Sequence, residues 1–395
     1  MRLNNKIRNI IFVTNFGDFL TLFTVMSLIY SKTNSVATAA IAVPMECIAH
    51  VVGGLLTPRL VNENSARSMM LKTQVISAIF SAILIASLLV ETKLVAFYFV
   101  AHFSLKVLSI LFSSSCEVES KKLGTPEEQT VLQGQLFKGF FAAQMVGPLV
   151  ALVLLKIFPI YVPLIVDFST FVVAAFVASS IKNDAKKEEE KKIEPSHIFK
   201  PFSYFSKYPS LHRFFWLRIS NAFPTGIFNI LMVILVQNAL NLQLIDTAIF
   251  YSAAGIMAYI SSTFLANHQS FLYRFPRKNV LLVSYIGQAF GYSLFGFKSF
   301  LLSLLGIAIA GAFNAASRTI SQGIRREIST NDQLPEIAGL EFVVAKTLEW
   351  ICGVGTAFLI GSGLFNHSHM LIVACFLQIL LGYMFFKTRY LKEEV

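Results

Sequence analysis

Ionisable and amide side chains stand at helical spacing inside otherwise apolar stretches of this 395-residue chain. Asn15 and Asp18 are three apart, Glu46 and His50 four apart, His102 and Lys106 four apart, and Lys346 and Glu349 three apart. Such spacing puts both members of a pair on one helix face. A carboxylate beside an imidazole or an ammonium can bind and release a proton as its surroundings alternate between wet and dry. Glu46 with His50 fits that chemistry, and fits a packed polar contact equally; two ligands alone do not make a metal site. Lys106 lies too deep to snorkel and calls for a carboxylate, with Asp18 and Glu46 as candidates. Asn221 and Asn229 flank Pro224, where a prolyl break frees backbone carbonyls. For each residue the plainer reading is a buried hydrogen bond or ion pair that only holds helices together. Asp167 reads that way, Lys138 reads as static or gating, Glu341 lies near the inner end of its span, and Arg218 reads as a snorkelling cation.

The elements that must carry these residues are membrane-length helices. Hydrophobic residues make up 55% of the chain and charged residues 14%, with a mean hydropathy of +0.64. An average soluble domain carries about 25% charged residues. Apolar segments at about 9–30, 36–58, 69–90, 94–115, 130–156 and 159–181 are followed by six more. These fall at about 214–239, 247–266, 279–297, 299–322, 336–361 and 368–387. Each is long enough to cross a hydrocarbon core at about 1.5 Å per residue. Lys298 marks the turn between the ninth and tenth. The fold class expected is all-α and polytopic, with twelve transmembrane helices in two six-helix bundles. The first apolar stretch runs past Asp18 without a small-residue cleavage pattern, which reads as a retained span.

Charge sets the orientation. With the N-terminus inside, 25 Lys and Arg fall on cytoplasmic segments, Arg318, Arg325 and Arg326 among them, against Lys32, Lys93, Lys156 and Lys298 outside. That asymmetry follows the positive-inside rule and gives cytoplasmic N- and C-termini in a cell inner membrane. The net charge of +11 is therefore a topology signal and implies no nucleic-acid partner. Cys47, Cys116, Cys352 and Cys375 lie far apart, which indicates neither a disulfide framework nor a metal centre. H-E-x-x-H, P-loop and dinucleotide signatures are absent from the sequence, so neither an enzyme nor a cofactor is indicated. The charged segment KNDAKKEEEKK separates residues 1–181 from 213–395, with 182–212 as a cytoplasmic linker. A 6+6 division of this kind matches two bundles that rock around a midplane site.

Four stretches give the chain its resemblance to the major facilitator superfamily, over nearly its whole length. NFGDFLTLFTVMSLIYSKTNSVATAA carries Asn15 and Asp18 and a turn at Thr33 and Ser35. GGLLTPRLVNENSARSMM carries Gly54, Arg59 and Arg67. GFFAAQMVGPLVA carries Gly139, Gly147 and Pro148 next to Lys138, and RREISTNDQLPEIAGLEF precedes the eleventh span. The pattern resembles most the twelve-span bacterial exporters of enterobactin-type siderophores and macrolide-type drugs. That resemblance implies a monomeric, proton-coupled exporter of a small amphiphilic molecule, in contact with membrane lipids. Uptake of a nutrient or iron–siderophore complex is the alternative, and a non-transporting receptor or scaffold is the alternative of another class. Pro58 stands where the family has a loop acid that helps hold the inner gate, so the resemblance implies that gating here rests on other contacts or is looser.

Overall fold

The computed structural model describes residues 3–34, 42–63, 65–90, 94–125, 128–181, 200, 203, 209–238, 240, 242–268, 275–297, 299–330 and 333–387. Most of the 182–212 linker lies outside these residues, as do Ser35, Lys93, Lys298 and Arg274. The apolar stretches form helices α1 (Leu3–Thr33), α2 (Ala42–Glu63), α3 (Ala66–Leu89), α4 (Val95–Lys121), α5 (Gln129–Ile157) and α6 (Tyr161–Ser179). The second set comprises α7 (Pro209–Ser220), α8 (Ala222–Asn238), α9 (Thr247–Asn267), α10 (Arg277–Phe295), α11 (Phe300–Ile328), α12 (Gln333–Gly361) and α13 (His367–Lys387). Ten of the twelve spans are by themselves long and apolar enough to cross a membrane.

Helices α7 and α8 form one span interrupted at Asn221. Pro224 supplies no N–H to the carbonyl of Ser220 and its ring crowds that turn, so the helical ladder is interrupted beside it. Local bonds close the gap: Asn221 N–H donates to the Arg218 carbonyl (3.2 Å), and Thr225 Oγ1 donates to the Asn221 carbonyl (2.8 Å).

The packing repeats. In the first half α1 lies against α5 and α6, α2 against α4, and α3 against α4 and α6. In the second half α8 lies against α12 and α13, α9 against α11, and α10 against α11 and α13. Each of these pairings recurs six spans later. Besides α5 against α11 and α4 against α12, the halves are joined by two broader contacts that exchange under the same rule, α2 against α12 and α5 against α9. Both are seated on glycine. A Cβ on Gly54 would lie 2.8 Å from the Gly339 carbonyl oxygen, and one on Gly255 would lie 2.5 Å from Met145 N. Pro58 removes the N–H that would bond the Gly54 carbonyl, and that freed oxygen faces Gly339.

Apolar side chains are exposed along α3, α6, α10 and α13, among them Ile79, Phe176, Val283 and Ile372. An apolar exterior over a polar interior is the pattern of helices in lipid. The chain is a multi-pass membrane protein.

Candidate functional site

Between the halves lies a cavity of ≈ 880 Å³. Its wall is drawn from α1, α2, α4, α5, α8, α9, α11 and α12, while α3, α6, α10 and α13 contribute none of the lining residues. Eight helices converge because the two interface pairs hold the halves together on either side of the space.

The first half brings three charged groups together on its wall. Lys106 Nζ lies 3.0 Å from Glu46 Oε1 and 3.8 Å from Asp18 Oδ2. Ser109 Oγ donates to Asp18 Oδ2 at 2.6 Å, and His102 Nε2 stands 3.5 Å from Glu46 Oε1. One ammonium therefore serves two carboxylates, with a fully buried imidazole behind them. His50 lines the cavity but turns from its neighbour's carboxylate: its Nδ1 donates to the Glu46 backbone carbonyl at 2.6 Å. The pair read from spacing is thus split, and Glu46 reaches Lys106 and His102 instead. Asn15 lines the same wall and donates to the Ile11 carbonyl at 2.7 Å.

The second half presents a closed triad. Lys346 Nζ donates to Glu349 Oε2 at 2.6 Å and Asn229 Nδ2 to Glu349 Oε1 at 2.8 Å, so both carboxylate oxygens are engaged. All three line the cavity. Asn221, at the break between α7 and α8, is not among the lining residues. Arg318 is, although the charge count assigned it to the cytoplasmic side. It lies in α11 with its guanidinium 5.5 Å from the Phe137 ring centroid and 5.9 Å from that of Phe140.

One end of the cavity is shut by ionic contacts between the halves. Arg218 pairs with Glu341, Glu341 with Arg325 at 2.7 Å, and Arg325 with Glu117 of the opposite half. Arg218 therefore does not snorkel: Glu341 from α12 captures it, and Ser321 accepts from its Nη1 at 2.6 Å. Fully buried Arg326 donates to Gln133 Oε1 (2.8 Å) and Ser120 Oγ (3.1 Å) across the same seam. Lys121 donates to the Ser329 carbonyl, and Gln133 Nε2 donates to Gln322 Oε1 at 2.7 Å. Arg325, Arg326 and Lys121 were read from the sequence as loop cations. Here they are buried because α4 and α11 run about one and a half turns beyond their apolar stretches and meet.

The remaining residues singled out in the sequence hold helices. Arg67 Nε donates to Glu119 Oε1 at 2.6 Å, and Lys138 Nζ donates to Asn267 Oδ1 at 3.0 Å across the α5–α9 contact. Gly139 lets α5 approach the Arg8 carbonyl of α1, and Gly147 lets it approach Phe19. Pro148 is buried within α5. Arg59 is exposed near the end of α2. Pro58 leaves no acid at its position, and its ring packs on Gly339. Asp167, fully buried and away from the cavity, accepts from Thr21 Oγ1 (2.5 Å) and Ser81 Oγ (3.3 Å), which ties α6 to α1 and α3. Among the described residues, no group of three or more His, Cys, Asp or Glu side chains converges as a metal site would require.

No family model matches the chain, and no curated protein matches it in sequence. Solved structures match it in three dimensions. The human organic anion transporter MFSD10 superposes with a TM-score of 0.79 at 11% identity, over 98% of this chain and 100% of that one. A bacterial homologue of the iron transporter ferroportin, in an outward-facing state, gives 0.74 at 14% identity, over 98% and 99%. The fucose:proton symporter of E. coli gives 0.68 at 10% identity, over 98% of each chain. At such identities the likeness establishes the fold alone, which this chain shares with those three transport proteins.

Proposed function

We propose that the chain is a secondary active transporter that moves a small amphiphilic molecule by alternating access. Residues 1–181 and 213–395 are the moving bundles, tethered by 182–212. The carrying observation is a cavity between two six-span halves, bridged at one end by ionic and polar contacts from one half to the other. That end holds Lys121, Arg325 and Arg326, and positive-inside reasoning makes it cytoplasmic, with both termini inside and the inner membrane as the site of action. The structure then corresponds to the state closed toward the cytoplasm.

Proton coupling is supported by the wall of the first half, where Asp18 and Glu46 share the single ammonium of Lys106. Two carboxylates on one cation can take up a proton at lower electrostatic cost than a fully matched pair. The direction proposed is export of a metabolite, siderophore or drug; the support is the sequence resemblance in α1 and α5. A monomer is sufficient, since all eight cavity helices come from one chain.

The deciding experiment compares a deletion strain with its complemented parent by untargeted mass spectrometry of cells and medium. Export predicts a compound retained in the deleted cells and depleted from their medium. A compound left behind in the medium and missing from the cells would establish uptake instead.

A further inference from the structure

We infer that Arg318 is the anchor for an anionic group on the transported molecule, so that the substrate class is an organic carboxylate with an apolar or aromatic body. This rests on the transport reading above.

The argument begins with partners. Lys106, Lys346, Arg218 and Arg325 each have a carboxylate as ion-pair partner. Arg318 lines the cavity and forms no ion pair among the described residues. Its contacts are the rings of Phe137 and Phe140 on α5, in the other half. A guanidinium over aromatic faces is stabilised by the ring quadrupoles, by about 0.5–2 kcal/mol, and keeps its edge N–H donors free. A charge within the bilayer costs about 2.5–3.5 kcal/mol on the lenient insertion scale, more than the rings return. A carboxylate docked on the N–H edge supplies the remainder through two parallel charge-assisted bonds.

Charge over the cavity points the same way. The first half's wall carries Asp18, Glu46 and Glu117 against Lys106; with Glu117 neutralised by Arg325, an excess of one negative charge remains when all are ionised. On the second half Lys346 and Glu349 cancel, leaving Arg318 as an excess of one positive charge. An anion therefore seats on the α11 side and is repelled from the α1–α2 side, which fixes its orientation. Asn314 and Gln322, one turn to either side of Arg318, put amide groups on the same face. The apolar body has Phe19, Phe342 and Trp350 to lie against. A volume of ≈ 880 Å³ falls within the roughly 300–1,000 Å³ typical of small-molecule sites.

The chain has two tryptophans, and Trp350 lines the cavity whereas Trp216 does not. In a Trp216→Phe background, saturable energy transfer from Trp350 to a pyrene probe reports cavity binding by the purified full chain. Three probes share one body: 1-pyrenebutyrate, its primary amide, and 1-pyrenebutylamine. The carboxylate should bind at least about tenfold more tightly than the amide, and the amine most weakly. Arg318→Gln should abolish the difference and Arg318→Lys should keep part of it. Should Arg318→Gln fail to fold, Asn314→Asp sets a carboxylate one turn away to occupy the guanidinium and should abolish it likewise. Equal affinities in the parent, a preference for the amine, or a carboxylate preference that survives these substitutions overturns the assignment. Flux of the same probes into liposomes separates the two readings. Carboxylate preference without flux of any probe removes transport and keeps the anion site, while flux without preference does the reverse.

Discussion

Arg325 of α11 and Glu117 of α4 form an ion pair across the two halves, although 208 residues separate them in sequence. Arg325 also holds Glu341, so it is the shared member of the array. Removing it leaves two carboxylates short of a partner, and breaking a buried pair by deleting one member costs about 3–5 kcal/mol. Glu117→Gln leaves Arg325 still bound to Glu341. The expected order of thermal stability in detergent is wild type, then Glu117→Gln, then Arg325→Gln. A reversed order would show that Arg325 is not the hub of the closed end.

Lys106 supports two carboxylates at once. Lys106→Met should abolish flux driven by a pH gradient, and adding Glu46→Gln to it should recover stability but not uphill transport. Asp18→Asn or Glu46→Gln alone should weaken uphill transport more than downhill exchange. Proteoliposomes with and without an imposed pH gradient give the comparison, with sodium replaced by choline as control. Sodium-dependent flux indifferent to the gradient would rule out proton coupling.

Gly255 abuts backbone atoms that cannot move aside: a Cβ would sit 2.5 Å from Met145 N and 2.7 Å from the Gln144 carbonyl carbon. Gly255→Leu must push α9 away from α5 and should cost at least the roughly 1–3 kcal/mol typical of overpacking. Gly361→Ala is the matched control, since nothing lies within 4 Å of a Cβ there. Melting temperatures of the two variants should differ clearly; equal values would mean that the α5–α9 seam tolerates separation.

Topology is tested by single cysteines. Residue 93 should react with an impermeant thiol reagent from outside, and residues 187 and 274 only after permeabilisation. The opposite pattern would invert the cytoplasmic assignment of the closed end.

The spans were legible because hydropathy is a local property: the eighth is expected at 247–266 and observed at Thr247–Asn267. Lys106 was legible as well, since a deep ammonium must find an acid, and few acids are within reach. Arg325, Arg318 and Glu117 were not. They lie where apolar stretches give way to charged ones, and only the crossing of α4 with α11 turns those helix ends into an interior. Arg218 was misread for the same reason: its partner Glu341 is 123 residues away. The spacing of Glu46 and His50 correctly put them on one face. It could not show that the imidazole bonds the backbone while the carboxylate reaches another helix.

The contacts between the halves at Gly54, Gly339 and Gly255 set backbone against backbone beside small side-chain clusters such as Phe137 and Phe141 with Ala258. Helices packed ridge into groove must shear many contacts to turn against each other, whereas a carbonyl resting on a bare α-carbon can swivel in place. In the proposed alternating-access motion the two seams, one on α2 and α12 and the other on α5 and α9, would serve as bearings. The ionic array holds the halves through a few side chains, Arg325 with Glu117 and Arg326 with Gln133, and these must let go before such a turn can begin.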